Sequence, residues 1–231
     1  PTPMGWKKSP TWLDDMGEMA DYVNSTMDGW ARPKYIKARG TNVEIILKNV
    51  RLAFFNGYAP GEYDGKLSYG AKLILPPNHP QIAAMEEAMK EAAKAKFKAN
   101  WQAIYNQMDK QDRLCFHKSE YLNKEGKPHN GFQGMYYINT SSKPEQPPLC
   151  LKANKSISAL RDGDLYSGCY ADVKINTWGQ QHAKGGVRIN AQCLVFQKRA
   201  DGDAFAGGPP PSADGMDDLS DVGETVDDMI G

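Results

Sequence analysis

The chain has 231 residues, and 40% of them are hydrophobic, so it can bury a real core and is not disordered throughout. A chain of this length forms one or two domains. Every apolar run is shorter than the roughly 20 residues that a membrane helix needs, and no secretory leader opens the sequence, so we expect a soluble intracellular protein with no membrane partner. The four cysteines are far apart and form no C-x-x-C pair. They indicate free thiols in a reducing compartment, without a disulfide or a bound metal.

The formal net charge of zero conceals an uneven distribution of charge. Residues 1–31 contain two bases and five acids, and the chain from Asp201 onward contains nine acids and no base. Residues 32–200 therefore hold 26 of the 28 bases and 14 of the 28 acids, a surplus of 12 positive charges. A basic body with an acidic tail predicts a polyanionic partner and an internal competitor for it.

Composition divides the chain into three regions. Residues 1–31 are rich in Met, Gly, Pro and Asp and predict a flexible N-terminal arm. Residues 32–200 predict the folded domain. Residues 201–231 include a Gly- and Pro-rich run and contain too few apolar side chains to offset the entropy of ordering, so we expect a disordered acidic C-terminal tail.

The folded region begins with two strand-like segments, residues 42–55 and 67–75, which are rich in β-branched and aromatic side chains. The apolar positions of the first segment switch from odd to even numbers near Lys48 and Asn49. A β-bulge or a sharp bend is the simplest cause, as expected where a strand coils around a small barrel.

A single long helix over 80–108 is predicted by an Ala-, Glu-, Lys- and Met-rich sequence whose apolar residues recur at intervals of three and four. That apolar stripe indicates core packing. Further strand-like segments lie at 113–118, 134–140, 149–153, 164–178 and 185–199. Strands before and after one long helix favour a mainly β fold, an antiparallel barrel or sandwich, over an alternating βαβ architecture.

Enzyme signatures are absent from the sequence. It contains no P-loop, no G-x-G-x-x-G after a strand, no nucleophile elbow and no H-E-x-x-H, so we expect no catalytic residues and no cofactor. Asp162, Asp164 and Asp172 could hold Mg²⁺ for nuclease chemistry. The alternative is a tight turn, because Asp-Gly between strand-like runs favours hairpins.

The segment 165–178 is the most informative part of the sequence. Strand alternation places five small or apolar residues on one face: Leu165, Cys169, Ala171, Val173 and Ile175. It places three rings and a cation on the other face: Tyr166, Tyr170, Lys174 and Trp178. Unpaired bases stack on such rings while cations contact the phosphates, so the pattern predicts binding of single-stranded nucleic acid. The alternative is that the rings pack beneath a helix or a loop.

Further basic residues lie on the non-core side of strands or around the turn before the aromatic segment: Lys72, Lys152, Lys155, Arg161 and Arg188. They could line a groove for phosphates, although solvated lysines are common on sheets. The Gly- and Tyr-rich stretch 54–70 predicts a hairpin loop. Its Phe54 and Tyr58 could clamp a nucleic-acid strand, or the loop could pack on the end of the barrel.

The last fifteen residues alternate acids with apolar side chains. The acids are Asp217, Asp218, Asp221, Glu224, Asp227 and Asp228. Such a string can occupy a cationic groove when DNA is absent and, once displaced, can recruit partners through its apolar residues. The alternative is a solubilising tail without a partner.

The segment 161–208, "RDGDLYSGCYADVKINTWGQQHAKGGVRINAQCLVFQKRADGDAFAGG", resembles the end of the folded domain of bacteriophage single-stranded DNA-binding proteins. The likeness extends more weakly to "NVRLAFF" and "GAKLILPP". This resemblance implies an OB-fold barrel with an inserted helix that coats and protects unpaired DNA, largely without sequence preference, in phage replication, recombination and repair. It also implies action in the cytoplasm of the infected bacterial host.

The resemblance further implies that a polymerase, helicase or primase binds the acidic tail. Tails of this family often finish in an aromatic residue, whereas this chain ends in Met229-Ile230-Gly231, which places the usual docking mode in question. A Mg²⁺-dependent nuclease, a strand-annealing recombinase and a virion assembly protein remain the alternative functions. Oligomeric state cannot be inferred from the sequence.

Overall fold

The structure is a computed structural model that describes residues 36–39, 42–63, 65–183 and 185–205. The predicted N-terminal arm lies outside the described residues, as do the six tail acids at 217–228. The folded domain predicted over 32–200 is described almost completely, together with the first five residues of the predicted tail.

Strands dominate the described part of the chain. They are β1 (Ile36–Arg39), β2 (Asn42–Tyr63), β3 (Lys66–Leu75), β4 (Phe116–His117), β5 (Tyr136–Ser142), β6 (Leu149–Leu151), β7 (Tyr170–His182) and β8 (Gly186–Ala200). The helices are α1 (Ile82–Phe97) and α2 (Trp101–Lys110), with 3₁₀ turns at Lys98–Asn100 and Leu160–Asp162.

These strands form one sheet in the order β4-β5-β3-β2-β7-β8-β6, and β1 pairs with the start of β2. All pairings are antiparallel except that of β6 with β8. The Ser142 hydroxyl on β5 donates to the Cys193 carbonyl on β8 over 2.7 Å. The sheet therefore curls until β5 and β8 meet, and the predicted antiparallel, barrel-like and mainly β architecture is confirmed.

The predicted bulge lies where the apolar phase of β2 switches. Pairing with β7 skips two residues between Leu47 and Val50, and Asn49 has a φ of 53°. Leu47 and Val50 are both fully buried. The extra residue turns β2 so that both halves keep their apolar side chains in the core, which is why the switch was visible in the sequence.

The stretch 54–70 differs from the predicted loop. It belongs to β2 and β3, whose ladder runs out to the pair Tyr63–Lys66, with register shifts after Ala53 and Asn56. The predicted hairpin is present, but most of the stretch is paired strand and not loop. The two irregularities let this Gly- and Tyr-rich sequence keep pairing although it lacks regular alternation.

The predicted helical region is helical, but it is interrupted. Lys98 has a φ of 54°, and α1 ends there with the Lys98 N–H bonded to the Lys94 carbonyl. The chain resumes as α2 after one 3₁₀ turn. No Gly or Pro marks this break, so the periodicity alone predicted a continuous helix. The apolar stripe of α1 packs in the core, as predicted, and the four cysteines are buried free thiols.

Candidate nucleic-acid interface

Alternation along β7 separates a core side from an outer side. Ala171, Val173 and Ile175 are completely buried, whereas Tyr170 and Trp178 are partly exposed on the opposite side. The predicted division into two faces is confirmed from Tyr170 to Trp178, whereas Tyr166, predicted on the outer face, precedes β7 and packs against the core. We call the outer side the β7 face; it comprises Tyr170, Asp172, Lys174, Asn176 and Trp178, with Glu44, Lys48 and Arg199 from the neighbouring strands.

The three cations of the β7 face form ion pairs with two carboxylates. Asp172 accepts hydrogen bonds from Lys48 Nζ and Arg199 Nε, each over 2.8 Å. Lys174 Nζ lies 2.9 Å from Glu44 Oε2. Burial alone would raise the pKa of Asp172, but the hydrogen bonds from Arg199, Lys48 and the Asn49 N–H lower it below its ordinary value. A phosphate therefore has to compete with carboxylates for the cations of this face.

Two of the predicted DNA-binding rings pack against the core. The Tyr58 hydroxyl lies 2.6 Å from Ser158 Oγ, and its ring is perpendicular to that of Phe55. The Tyr166 hydroxyl donates to Asp201 Oδ1 over 2.9 Å, and Lys198 Nζ lies 4.7 Å from its ring centroid. Both rings serve the packing of this end of the barrel, and a DNA contact by either stays a prediction.

The remaining predicted basic residues lie in more than one place. Lys152 Nζ lies 3.2 Å from Asp162 Oδ2, and Lys155 occupies an exposed turn with a φ of 68°. Arg188 is exposed beside a cleft of about 260 Å³ between β5 and β8. The side chain of Arg161 lies outside the described residues. Lys152 and Lys155 thus share one turn, in which the Lys155 N–H donates to the Lys152 carbonyl over 3.0 Å, whereas Arg188 lies on β8.

Only two of the three carboxylates of the nuclease alternative lie together: Lys152 Nζ is 3.2 Å from Asp162 Oδ2 and 3.9 Å from Asp164 Oδ2. Asp164 accepts a hydrogen bond from the Ser158 hydroxyl over 2.7 Å, whereas Asp172 is held between Lys48 and Arg199. Within the described ranges, no three His, Cys, Asp or Glu side chains are grouped so that they could hold a metal ion.

A second candidate surface covers the outer side of β2, β3 and β5. Arg51 pairs with Ile74, which pairs with Tyr137 on β5. In the next row Lys72 pairs with Asn139. Rings from the segment 119–135 pack over these rows. We call this surface the aromatic face; it comprises Arg51, Phe54, Lys72, Tyr121, His129, Phe132, Tyr137 and Asn139.

The rings of the aromatic face contact one another closely. Phe54 is 47% exposed, and its ring centroid lies 5.7 Å from Tyr121 and 5.3 Å from His129, perpendicular to both. Tyr121 and His129 are stacked at 4.9 Å. Phe132, in contrast, is only 1% exposed. The predicted Phe54 therefore lies beside rings that were not predicted from the sequence, because 119–135 shows no strand or helix periodicity.

The cations of the aromatic face have neutral partners. Lys72 Nζ lies 3.8 Å from the Tyr121 ring centroid and donates to Asn139 Oδ1. Burial lowers the pKa of Lys72 to about 8. Arg51 donates to two backbone carbonyls, those of Gly168 over 3.0 Å and Asp203 over 2.8 Å. Neither cation has a carboxylate partner among the side chains that the structure describes.

None of the described helices is long and apolar enough to span a membrane.

The solved structures that this chain resembles show its fold. The single-stranded DNA-binding protein of bacteriophage Enc34 in complex with ssDNA matches with a TM-score of 0.53 at 20% identity, covering 74% of this chain and 96% of that chain. A C-terminal truncation of the Enc34 protein matches with a TM-score of 0.53 at 21% identity, covering 73% of this chain and 95% of that chain. The shared fold is the OB-like fold of phage ssDNA-binding proteins.

Sequence comparison then identifies the family. The model of the Enterobacter phage Enc34 ssDNA-binding protein family matches residues 43–229, and this chain belongs to that family. A further relative is protein p50 of Acyrthosiphon pisum secondary endosymbiont phage 1, which is 30% identical over 183 residues, or 77% of this chain and 95% of that protein. The resemblance noted from the sequence is confirmed.

Proposed function

We propose that this protein binds single-stranded DNA without marked sequence preference and acts as a non-enzymatic coat on unpaired strands. The observation that carries the proposal is the family match over residues 43–229, which spans the described sheet apart from β1 and the first residue of β2. A protein with the same fold has been solved in complex with ssDNA. Tyr170 and Trp178 supply ring surfaces that stack on any base, which suits binding without sequence preference.

The proposed path of the DNA runs along the β7 face. Tyr170 and Trp178 are eight residues apart on one strand, a distance of about 26 Å at roughly 3.3 Å per residue. Bases stack on these two rings, and phosphates compete with Glu44 for Lys174. At the Tyr170 end the path reaches Arg51, whose Cζ lies 5.7 Å from the Tyr170 ring centroid.

The acidic tail supports a second part of the proposal. Its seven acids from Asp214 onward and its lack of Lys and Arg make it a competitor for the same cations. Deleting residues 209–231 should tighten DNA binding at low salt and weaken recruitment of a polymerase, helicase or primase. Equal affinity of the truncated and full-length chains at low salt would contradict competition by the tail.

We place this activity in phage replication, recombination and repair, in the cytoplasm of the infected bacterial host. Coating removes hairpins, because binding favours unpaired DNA, and it shields the strand from nucleases. Strand annealing, which needs two coated strands, is compatible with the same surface and is measured by the rate at which complementary oligonucleotides pair.

The test is a fluorescence anisotropy titration of labelled oligo(dT) and of a duplex with the same number of nucleotides. We expect clear preference for the single strand, with affinity falling as salt rises by a log-log slope of about −0.7 per phosphate contact. Equal or weaker binding of the single strand would overturn the proposal. Incubation of labelled single strands with Mg²⁺ tests the nuclease alternative, for which shortened products are required.

A further inference from the structure

The chain does not leave the domain at the end of β8. Residues 201–205, which we call the strap, cross the outer surface between β8 and the aromatic face. Asp201 Oδ1 accepts a hydrogen bond from Lys198 Nζ over 2.6 Å, and the Phe205 N–H donates to the Ser167 carbonyl over 3.1 Å. Arg51 donates to the carbonyl of Asp203. Hydrogen bonds at the start, middle and end of the strap therefore define its position.

The ring of Phe205, at the end of the strap, covers Arg51. Arg51 Cζ lies 4.2 Å from the Phe205 ring centroid. The ring also lies against Gly131, where an added Cβ would come within 2.3 Å of it, and Gly131 has a φ of 83°. A side chain at residue 131 would therefore occupy the space of this ring as well as strain the backbone.

A cavity of about 160 Å³ adjoins this contact. Its lining includes Arg51, Gly131, Tyr170 and the buried His79. It is about half the volume of the smallest drug-sized pockets, roughly 300 Å³, so it suits one planar ring with little room to spare. The neighbourhood of Arg51 thus offers a flat cation, a tyrosine ring and a space the size of one base.

We propose that the face of Arg51 covered by Phe205 is a nucleobase subsite, and that Phe205 is its occupant in the absence of DNA. A guanidinium is planar and weakly hydrated, and it stacks equally on an aromatic side chain or on a base. An incoming base takes the place of the Phe205 ring. The inference rests on the proposed function, since it assigns one base of the bound strand to this position.

Displacement of Phe205 also acts on the C-terminal tail. Phe205 is the last residue of the strap, and the seven acids of the tail begin nine residues later, at Asp214. Loss of the ring contact removes one of the contacts that hold the chain at Phe205, on the N-terminal side of the acidic segment. Occupation of the subsite by a base and release of the Phe205 ring are thus one event, which couples DNA binding to the point where the tail begins.

The test uses the full chain in four forms: wild type, Phe205→Ala, Arg51→Lys and the double variant. Phe205→Ala should bind oligo(dT) about fivefold more tightly, because it removes the intramolecular competitor from the subsite. Phe205→Tyr keeps a ring and should bind like wild type. Ile157→Ala, which trims a 72% exposed side chain on another loop, is the matched control and should leave affinity unchanged. Unchanged affinity of Phe205→Ala would overturn the proposal.

Arg51→Lys keeps the charge but loses the flat stacking surface. It should weaken oligo(dT) binding about tenfold while leaving the affinity for an abasic oligonucleotide of equal length unchanged. Equal weakening for both ligands would mean that Arg51 contacts phosphate, and would overturn the base subsite. The gain from Phe205→Ala should shrink in the Arg51→Lys background; an undiminished gain would mean that the substitution acts only by freeing the tail, and would also overturn the subsite.

A measurement on the unmodified protein avoids dependence on folding of the variants. Hydroxyl-radical footprinting should label Phe205 more strongly when oligo(dT) is present, because the ring leaves Gly131. Unchanged or reduced labelling of Phe205 with bound DNA would overturn the proposal. Failure of wild type to bind oligo(dT) at all would instead reject the proposed function, so the two failures are distinguishable.

Discussion

The β7 face and the aromatic face both combine rings with cations, yet they arrange them differently. On the β7 face the rings are partly exposed and each cation has a carboxylate partner, as Lys174 has Glu44. On the aromatic face most rings contact other rings, and Arg51 and Lys72 bond to neutral oxygens. Rings and cations that alternate along one strand therefore do not show that the cations are free of ion pairs. Of these two faces, the one whose cations bond to neutral oxygens is the face that the sequence pattern indicated less strongly.

The carboxylate partners of the cations on the β7 face come from distant parts of the sequence. The Lys48–Asp172 pair joins residues 124 positions apart. It forms only because β2 and β7 are neighbours in the sheet. A cation on a strand can therefore be proposed as a phosphate contact only after the neighbouring strands, and the carboxylates that they carry, have been identified.

The largest expected effect tests whether the aromatic face is structural. Phe132→Ala should lower the free energy of unfolding by about 3–5 kcal/mol, because the ring is almost completely buried among other rings. Trp178→Ala, on the β7 face, should cost less than about 1 kcal/mol. Urea unfolding of both variants measures the difference. If Phe132→Ala lowers the free energy of unfolding by less than about 1 kcal/mol, this cluster of rings does not act as a core that stabilises the fold.

The next effect tests whether the β7 face binds bases. Tyr170→Ala and Trp178→Ala should each weaken oligo(dT) binding by about 1–3 kcal/mol without unfolding the protein. Leu67→Ala, which trims a 52% exposed side chain at the hairpin tip, provides the control in the same anisotropy assay. Wild-type affinity in both ring variants would assign that face to packing.

Removing an acid from the β7 face should have opposite effects on stability and binding. Asp172→Asn releases Lys48 and Arg199 from their carboxylate partner, so oligo(dT) should bind more tightly at low salt, while the free energy of unfolding falls by about 1–2 kcal/mol. Glu125→Gln, in an exposed pair with Lys127, is the matched control. Weaker DNA binding by Asp172→Asn would show that these cations are not available to phosphate.

The sign of the pH effect follows from the lowered pKa of Asp172. Its ion pairs stabilise the fold above the ordinary value of 3.8, and that stability is lost as the pH falls through the lower folded pKa. Asp172→Asn should therefore flatten the acid limb of the stability profile. An unchanged acid limb would contradict the attribution of this loss of stability to the ion pairs of Asp172.

The last effect is a pH dependence of stability and concerns Lys72. Its pKa is about 8 in the folded protein and 10.5 ordinarily, so the unfolded chain binds more protons between these values. Stability should therefore rise with pH from about 8 upward, and Lys72→Met should abolish that rise. Urea unfolding at a series of pH values on both sides of the folded pKa measures it. If the stability of Lys72→Met still rises with pH above about 8, a group other than Lys72 causes the rise.

The sequence predicted those features that depend on local alternation. The bulge at Asn49 and the two faces of β7 follow from apolar positions spaced by two. The helix breaks at Lys98 because this residue has a positive φ, although no Gly or Pro is present. The spacing of apolar residues gives no indication of this break. Tyr121 and His129 were missed because irregular backbone places them on the sheet. Phe205 was predicted to lie in a disordered tail, because its neighbours in sequence are small or polar and the residues that it contacts are far away in the sequence.

The most direct test of the central claim is photo-crosslinking of wild-type protein to oligo(dT) that contains 4-thiothymidine, with mapping of the linked peptides. We predict links to the peptides that carry Tyr170, Trp178 and Arg51, and loss of those links when unlabelled oligo(dT) is added in excess. Links confined to α1 or to the loop around Ile157, with none on β7, would contradict binding along this face.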